Sequence, residues 1–182
     1  MKSVLISIRP KWTEKIANGE KTIEVRKSAP KEVPFKCYIY ETKGQYVKFT
    51  HGAHTKYGYG RGKVIGEFIC DKVYSIKNRG SSFSVADEEQ SVTNEIARQS
   101  CLYYDDMVSY FGNKDGFGWH ISDLKIYDKP KELSEFCIPC KVSCENCKNP
   151  LYFECWCEEK GKKIVTRPPQ SWCYVEDLGE EK

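Results

Sequence analysis

Val4 to Ile8 is a branched, apolar run broken only by Ser7, and it predicts a first β-strand. Pro10 follows where a helix tolerates a missing N–H, Trp12 and Ile16 lie four apart on one helical face, and Gly19 supplies the stop. In the next segment, Thr22 to Arg26, apolar and polar residues alternate strictly. A strand there puts Ile23 and Val25 on one face and aims Thr22, Glu24 and Arg26 into a common space on the other. Phe35 to Glu41 predicts a further strand, as do Val64 to Cys70 and Val73 to Ile76, with Gly66 marking a bulge or a close backbone approach. Between them, Thr42 to Gly62 holds five glycines among tyrosines and lysines and reads as a long loop or hairpin. Asp87 to Phe111 is the main helical stretch. Val92 and Ile96 mark one helix, while Met107, Val108 and Phe111 mark a second that ends at Gly112. Gly116 to Tyr127 reads as a last central strand, and the chain returns to the same style at Thr166 to Val175. Strands outnumber helices, which predicts an α+β fold, a mixed β-barrel flanked by short helices.

At 182 residues the chain suits a single domain spanning 1–182, with the segment 136–163 inserted into it. A hydrophobic fraction of 40% and a charged fraction of 30% are ordinary for a globular protein. The apolar runs are far shorter than a bilayer requires, and the N-terminal run meets Arg9-Pro10 at once, so neither a membrane span nor a signal peptide is expected. A cytoplasmic protein follows from that reading. The net charge of +3 permits an acidic partner without demanding one. Its distribution is more telling, because Thr42 to Lys63 carries five lysine or arginine residues and no acid.

Six of the ten cysteines fall between Cys137 and Cys157. In a reducing compartment such close spacing points to metal ligands rather than to a disulfide framework. Cys140, Cys144, Cys147, Cys155 and Cys157 are the candidates, four of them closing a structural zinc site, with Cys137 as an alternative fourth ligand. The zinc would pin an insertion too short to build a core of its own. Cys37, Cys70, Cys101 and Cys173 stand singly and read as small buried hydrophobes. In the glycine-rich stretch, Lys56, Tyr57, Tyr59 and Arg61 combine rings with cations. Single-stranded nucleic acids are held by that combination, bases on rings and phosphates on cations.

Several motifs carry a family resemblance: Ile6-Ser7-Ile8-Arg9-Pro10, Gly19-Glu20-Lys21-Thr22-Ile23-Glu24-Val25-Arg26, Gly66-Glu67-Phe68 and Trp119-His120-Ile121. Together with Arg167-Pro168-Pro169-Gln170-Ser171-Trp172 they resemble ASCH domains, of the PUA-like superfamily, in their bacterial and prophage form. The resemblance implies a PUA-like barrel closed by helices, RNA as a partner, and a cleft where the Lys21 loop meets the strand carrying Glu67. It is also similar around the motif to amidohydrolases of N4-acetylcytidine. It maps their lysine to Lys21 and their glutamate to Glu67, whereas their threonine position holds Glu24 here. On that basis Lys21, Glu24 and Glu67 are the candidate catalytic residues. Lys21, Arg26, Arg9, Lys56, Tyr57, Tyr59, Arg61 and Trp172 are the candidate contacts to RNA or a nucleotide-like small molecule. Two carboxylates and two cations in one cleft can tune each other's protonation, and Arg26 has the planar fork that grips phosphate. A binding module, a small hydrolase of modified nucleosides or RNA phosphodiesters, and a protein-interaction accessory are the three functions that fit.

Overall fold

The apolar runs read above pair into two sheets that share one core. The structure, a computed structural model, describes residues 2–51, 54–80, 82–86, 90–139 and 163–179. Strand β1 (Lys2–Ile8) leads through helix α1 (Pro10–Ala17) to β2 (Ile23–Arg26) and β3 (Phe35–Glu41). The hairpin β4 (Gly44–His51) and β5 (His54–Gly60) comes next, then β6 (Lys63–Cys70), β7 (Val73–Asn78) and β8 (Phe83–Val85). Helices α2 (Gln90–Ser100) and α3 (Tyr104–Phe111) precede β9 (Gly116–His120) and β10 (Ser122–Lys131), and β11 (Trp172–Val175) closes the series.

The first sheet has the order β10-β6-β3-β1-β11, the second β2-β9-β7-β8, and β4-β5 stands as a separate ribbon. β1 runs parallel to β3 and antiparallel to β11. That central place explains why its sequence is nearly all apolar, since both of its faces are covered. Val4, Ile6 and Ile8 join Phe35, Phe68 and Trp119 in the inner core, with Ile16 of α1. Leu5 points the other way, to Tyr38, Val64, Phe136, Val165 and Val175. The second sheet divides in the same manner. Ile23 and Val25 face Ile96, Met107 and Phe111 of the helices, while Trp119, opposite Glu24 in the register, enters the inner core edge-on to Phe35 at 5.1 Å. Gly116 must be a glycine, because Phe111 would lie 2.0 Å from any Cβ there.

Two expectations change. The single strand read over Gly116 to Tyr127 is two strands: β9 belongs to the second sheet and β10 to the first. The chain turns between them at Ile121, whose N–H bonds Thr22 O at 2.9 Å, and Asp123 adopts φ +47. The apolar alternation changes phase at this corner, from Trp119 and Ile121 to Leu124 and Ile126, with Ser122 and Asp123 between them. The expected barrel is, among the described residues, two sheets sharing a core and joined at this corner, with β10, β11, β2 and β8 left as edges rather than paired into a closed ring. Thr42 to Gly62 resolves as the β4–β5 hairpin. Cys37 and Cys70 are buried as expected, but Cys101 and Cys173 are only half-buried.

The Cys-rich segment departs and returns at one point. Cys137 bridges Ile164, Ile138 N–H bonds Lys163 O and Val165 N–H bonds Phe136 O, both at 2.8 Å. Cys140, Cys144, Cys147, Cys155 and Cys157 lie outside the described residues. No helix among the described residues is long and apolar enough to cross a membrane.

Phe136, fully buried and edge-on to Tyr38 at 5.0 Å, anchors the layer from which that segment departs. Phe136→Ala is expected to lower the unfolding free energy by about 3–5 kcal/mol in a urea titration. A loss under about 1 kcal/mol would mean that this outer layer is not part of the cooperative core.

Candidate ligand-binding cleft

Just past the end of α1, Gly19 takes a φ of +75 that turns the chain back so that Glu20 and Lys21 N–H groups bond Lys15 O at 2.9 and 3.1 Å. The loop is then tied to the end of α2, through Thr22 N–H to Gln99 O at 3.0 Å and Lys21 Nζ to Ser100 O at 2.6 Å. From there the alternation of β2 decides everything. Ile23 and Val25 take the helix side, so Glu24 and Arg26 must face the first sheet.

Three charged side chains are thereby buried together, with Lys21 at 2%, Glu24 at 5% and Arg26 at 7% exposure. Arg26 Nη2 pairs with Glu24 Oε1 at 3.0 Å and donates to Ser7 O at 2.8 Å. Lys21 Nζ stands 3.4 Å from Glu24 Oε2 and 5.2 Å from the Trp12 ring centroid. Desolvating such ions costs several kcal/mol each, and good partners must offset it. The compensation is incomplete. Glu24 Oε2 and Arg26 Nε have no hydrogen-bond partner; Lys21 donates to Ser100 O and faces Oε2 as an ion pair at 3.4 Å. Burial pushes the Lys21 ammonium below its ordinary value, against an opposing pull from Glu24.

This trio lines a cleft of about 500 Å³. Ser7, Arg9 and Trp12 form one wall, and Asp106, Ser109 and Tyr110 of α3 form another. Pro168, Pro169 and Gln170 form a third, held by Ser7 Oγ donating to Pro169 O at 2.6 Å and Ser7 N–H to Ser171 O at 2.9 Å. The cleft thus offers a buried donor, a buried acceptor, one exposed cation at Arg9 facing a wall that carries Asp106, and aromatic walls.

Of the residues singled out in the sequence, Lys21, Glu24, Arg26 and Arg9 come together here. Glu67 does not. It sits opposite Tyr38 in the register, on the far face of the first sheet, where Tyr127 donates to it at 2.5 Å and Lys36 stands 3.9 Å away. The Phe68 and Cys70 side chains take the inner face of β6, and strand alternation sends Glu67 outward. Trp172 packs on Trp119 at 5.8 Å and donates to Ser28 Oγ at 3.1 Å, so it supports the core rather than lining the cleft. Lys56, Tyr57, Tyr59 and Arg61 lie on or beside β5, outside the cleft lining. The sequence reading missed Asp106, Ser109 and Tyr110. Their i, i+3, i+4 spacing fits one helical face, a signal hidden by the apolar stripe of Met107 and Phe111 beside it. Among the described residues no group of three or more His, Cys, Asp or Glu side chains is placed to hold a metal ion.

With this geometry in hand, the comparisons are specific about the fold. The family model described as the ASCH domain matches residues 6–172. A crystal structure of ASCH from Zymomonas mobilis is similar at a TM-score of 0.55 and 18% identity, over 96% of this chain and 88% of that one. A Ser-to-Ala variant of that protein gives 0.54 at 18% identity, over 96% and 89%. A Tyr-to-Phe variant gives 0.53 at 16%, over 97% and 91%. No curated relative matches the chain.

The depressed Lys21 carries a pH signature. As pH rises toward the ordinary lysine value of 10.5, the folded protein holds fewer protons than the unfolded chain. The contribution of Lys21 to stability therefore grows across that alkaline window and is lacking below it. In unfolding free energies measured against pH, wild type should gain on Lys21→Met as the solution becomes alkaline. A pH-independent difference would show that the ammonium is not desolvated in the folded state.

Proposed function

Because the chain belongs to the ASCH domain family, we propose that the Lys21–Glu24–Arg26 cleft binds one nucleotide unit of RNA, or a modified nucleotide. The observation that carries this reading is that Glu24 Oε2 accepts no hydrogen bond, having only the Lys21 charge 3.4 Å away, and that Arg26 Nε donates none, both buried and both on side chains lining the cleft. Buried polar atoms are rarely left without partners, so an acceptor and a donor held open side by side call for a guest with the opposite pair. A nucleobase edge offers such a pair, and the Trp12 and Tyr110 rings suit its faces. Exposed Arg9 at the cleft wall suits a phosphate. Retention is favoured over hydrolysis of the acetylcytidine type, because the glutamate the resemblance assigns to it, Glu67, is on the other side of the sheet, and Asp106, the other carboxylate of the cleft, accepts from Tyr103 N–H at 3.1 Å. Glu24 itself is engaged by Arg26 at 3.0 Å and Lys21 at 3.4 Å.

Titration with each common ribonucleoside monophosphate tests the reading, because Arg26→Lys keeps the charge and loses the fork. Affinity is expected to fall about tenfold, while Glu67→Ala leaves it unchanged. Wild-type affinity in Arg26→Lys, or no binding of any nucleotide to the parent protein, would remove the cleft from consideration.

We also propose that four of Cys140, Cys144, Cys147, Cys155 and Cys157 close around a structural zinc ion. The pairing of Cys137 with Ile164 supports this, since it leaves the intervening chain a closed excursion that a metal would staple. Elemental analysis of the purified protein should find zinc at one per chain, and a chelator should open the segment between 137 and 164 to proteolysis first. A metal-free protein with the same proteolytic pattern would refute the site.

A further inference from the structure

The β4–β5 hairpin has two faces that differ sharply. Opposed residues of an antiparallel pair share a face, and the register sets Gln45 opposite Tyr59 and Val47 opposite Tyr57. On that side Val47 is 57% exposed, Tyr57 51% and Tyr59 71%. The other side is occupied by α1. Tyr46 donates to Glu14 at 2.9 Å, Lys48 pairs with the same carboxylate at 2.7 Å, and the Tyr46 ring fills the space a Cβ on Gly58 would take. Hydrogen bonding from Lys48, and then from Tyr46, holds the Glu14 carboxyl below its ordinary value. A two-stranded ribbon is marginal alone. This one is braced from behind, and its rings stay turned to solvent.

We propose that this outer face is a stacking platform for single-stranded nucleic acid, so that the partner is a single strand running from the cleft across the hairpin. Tyr57 and Tyr59, two residues apart on one strand, sit about 7 Å from each other, and each presents a ring that any base can cover. Aromatics on an open sheet surface hold bases in this way in single-strand RNA modules, whereas a duplex keeps its base faces hidden. Residues 42–63 contain five lysine or arginine residues and no acid; Lys48, Arg61 and Lys63 meet the carboxylates of Glu14, Glu41 and Glu132, and Lys43 and Lys56 are the exposed cations left beside the hairpin, Lys56 on the face opposite Tyr57. The route is short. Arg9 lines the cleft, and the ring of the next residue, Pro10, lies 2.5 Å from where a Cβ on Gly60 would stand, at the foot of the hairpin. The inference rests on the cleft taking a nucleotide, because that fixes where the strand begins.

The test compares a nucleoside monophosphate with a single-stranded RNA of about eight nucleotides and the same RNA as a duplex. The single strand should bind the wild type at least about tenfold more tightly than either, with an affinity that falls steeply with salt. The double variant Tyr57→Ala/Tyr59→Ala should lose about tenfold or more for the single strand and nothing for the monophosphate. Tyr57→Phe/Tyr59→Phe, which keeps the rings, should bind as wild type and so separates stacking from misfolding. Equal binding of monophosphate and single strand, or indifference of the single strand to the alanine variant, overturns the platform while the cleft stands. Loss of monophosphate binding alone, with the tyrosine dependence kept, overturns the cleft and leaves the platform with a strand it holds unaided. A duplex bound as well as the single strand, or a hairpin that captures a protein and no RNA, also overturns it.

Discussion

Arg26 reaches from the second sheet to the backbone of the first, and most of the cleft depends on that bond to Ser7 O. The same Ser7 holds the third wall in place through its hydroxyl and its N–H. One residue of β1 therefore fixes the distance between the two sheets and the position of Pro168 to Gln170. Glu24 keeps the arginine extended, and Lys21 binds the trio to the end of α2. A charge buried in this manner is costly in stability and earns its place only where geometry must be fixed. Here it holds a polar hole open between two apolar cores.

The two faces of the first sheet are finished differently. The outer face is closed by Phe136, Val165 and the C-terminal tail, where Tyr38 donates to Asp177 at 2.6 Å and accepts from Leu178 N–H at 3.0 Å. Burial, and then the Asp177 hydrogen bond, push the Tyr38 hydroxyl well above its ordinary value, so it stays a neutral donor. Glu67 belongs to this closed side with Lys36 and Tyr127, where every charge has a neighbour. Among the described residues, the buried atoms of charged side chains without a hydrogen-bond partner, Glu24 Oε2 and Arg26 Nε, lie on the inner side. That asymmetry, more than any single residue, locates the working surface.

α1 serves both surfaces at once. Its start supplies Arg9 and Trp12 to the cleft, and its Glu14 receives the hairpin. A short helix with Ile16 sunk in the inner core is a rigid support, so cleft and hairpin keep a fixed relation to each other.

The sequence alone determined β1, β2, β3, β6 and β7, the α1 stop at Gly19, the sidedness of β2 and the family, because each is written in local periodicity or in a short motif. It therefore placed Lys21, Glu24 and Arg26 together correctly, since one loop and one strand carry all three. It did not place Glu67, because alternation sets that residue opposite Phe68 and Cys70 on β6 but only the packed sheet shows which of the two faces meets the cleft. Nor could it see that β9 and β10 belong to different sheets, or that α3 and the Pro168 segment complete the cleft from far along the chain. Those features were decided by the tertiary structure. Alternation fixes which side chains share a face, but which face meets which is set only when distant strands pair and bury their apolar sides.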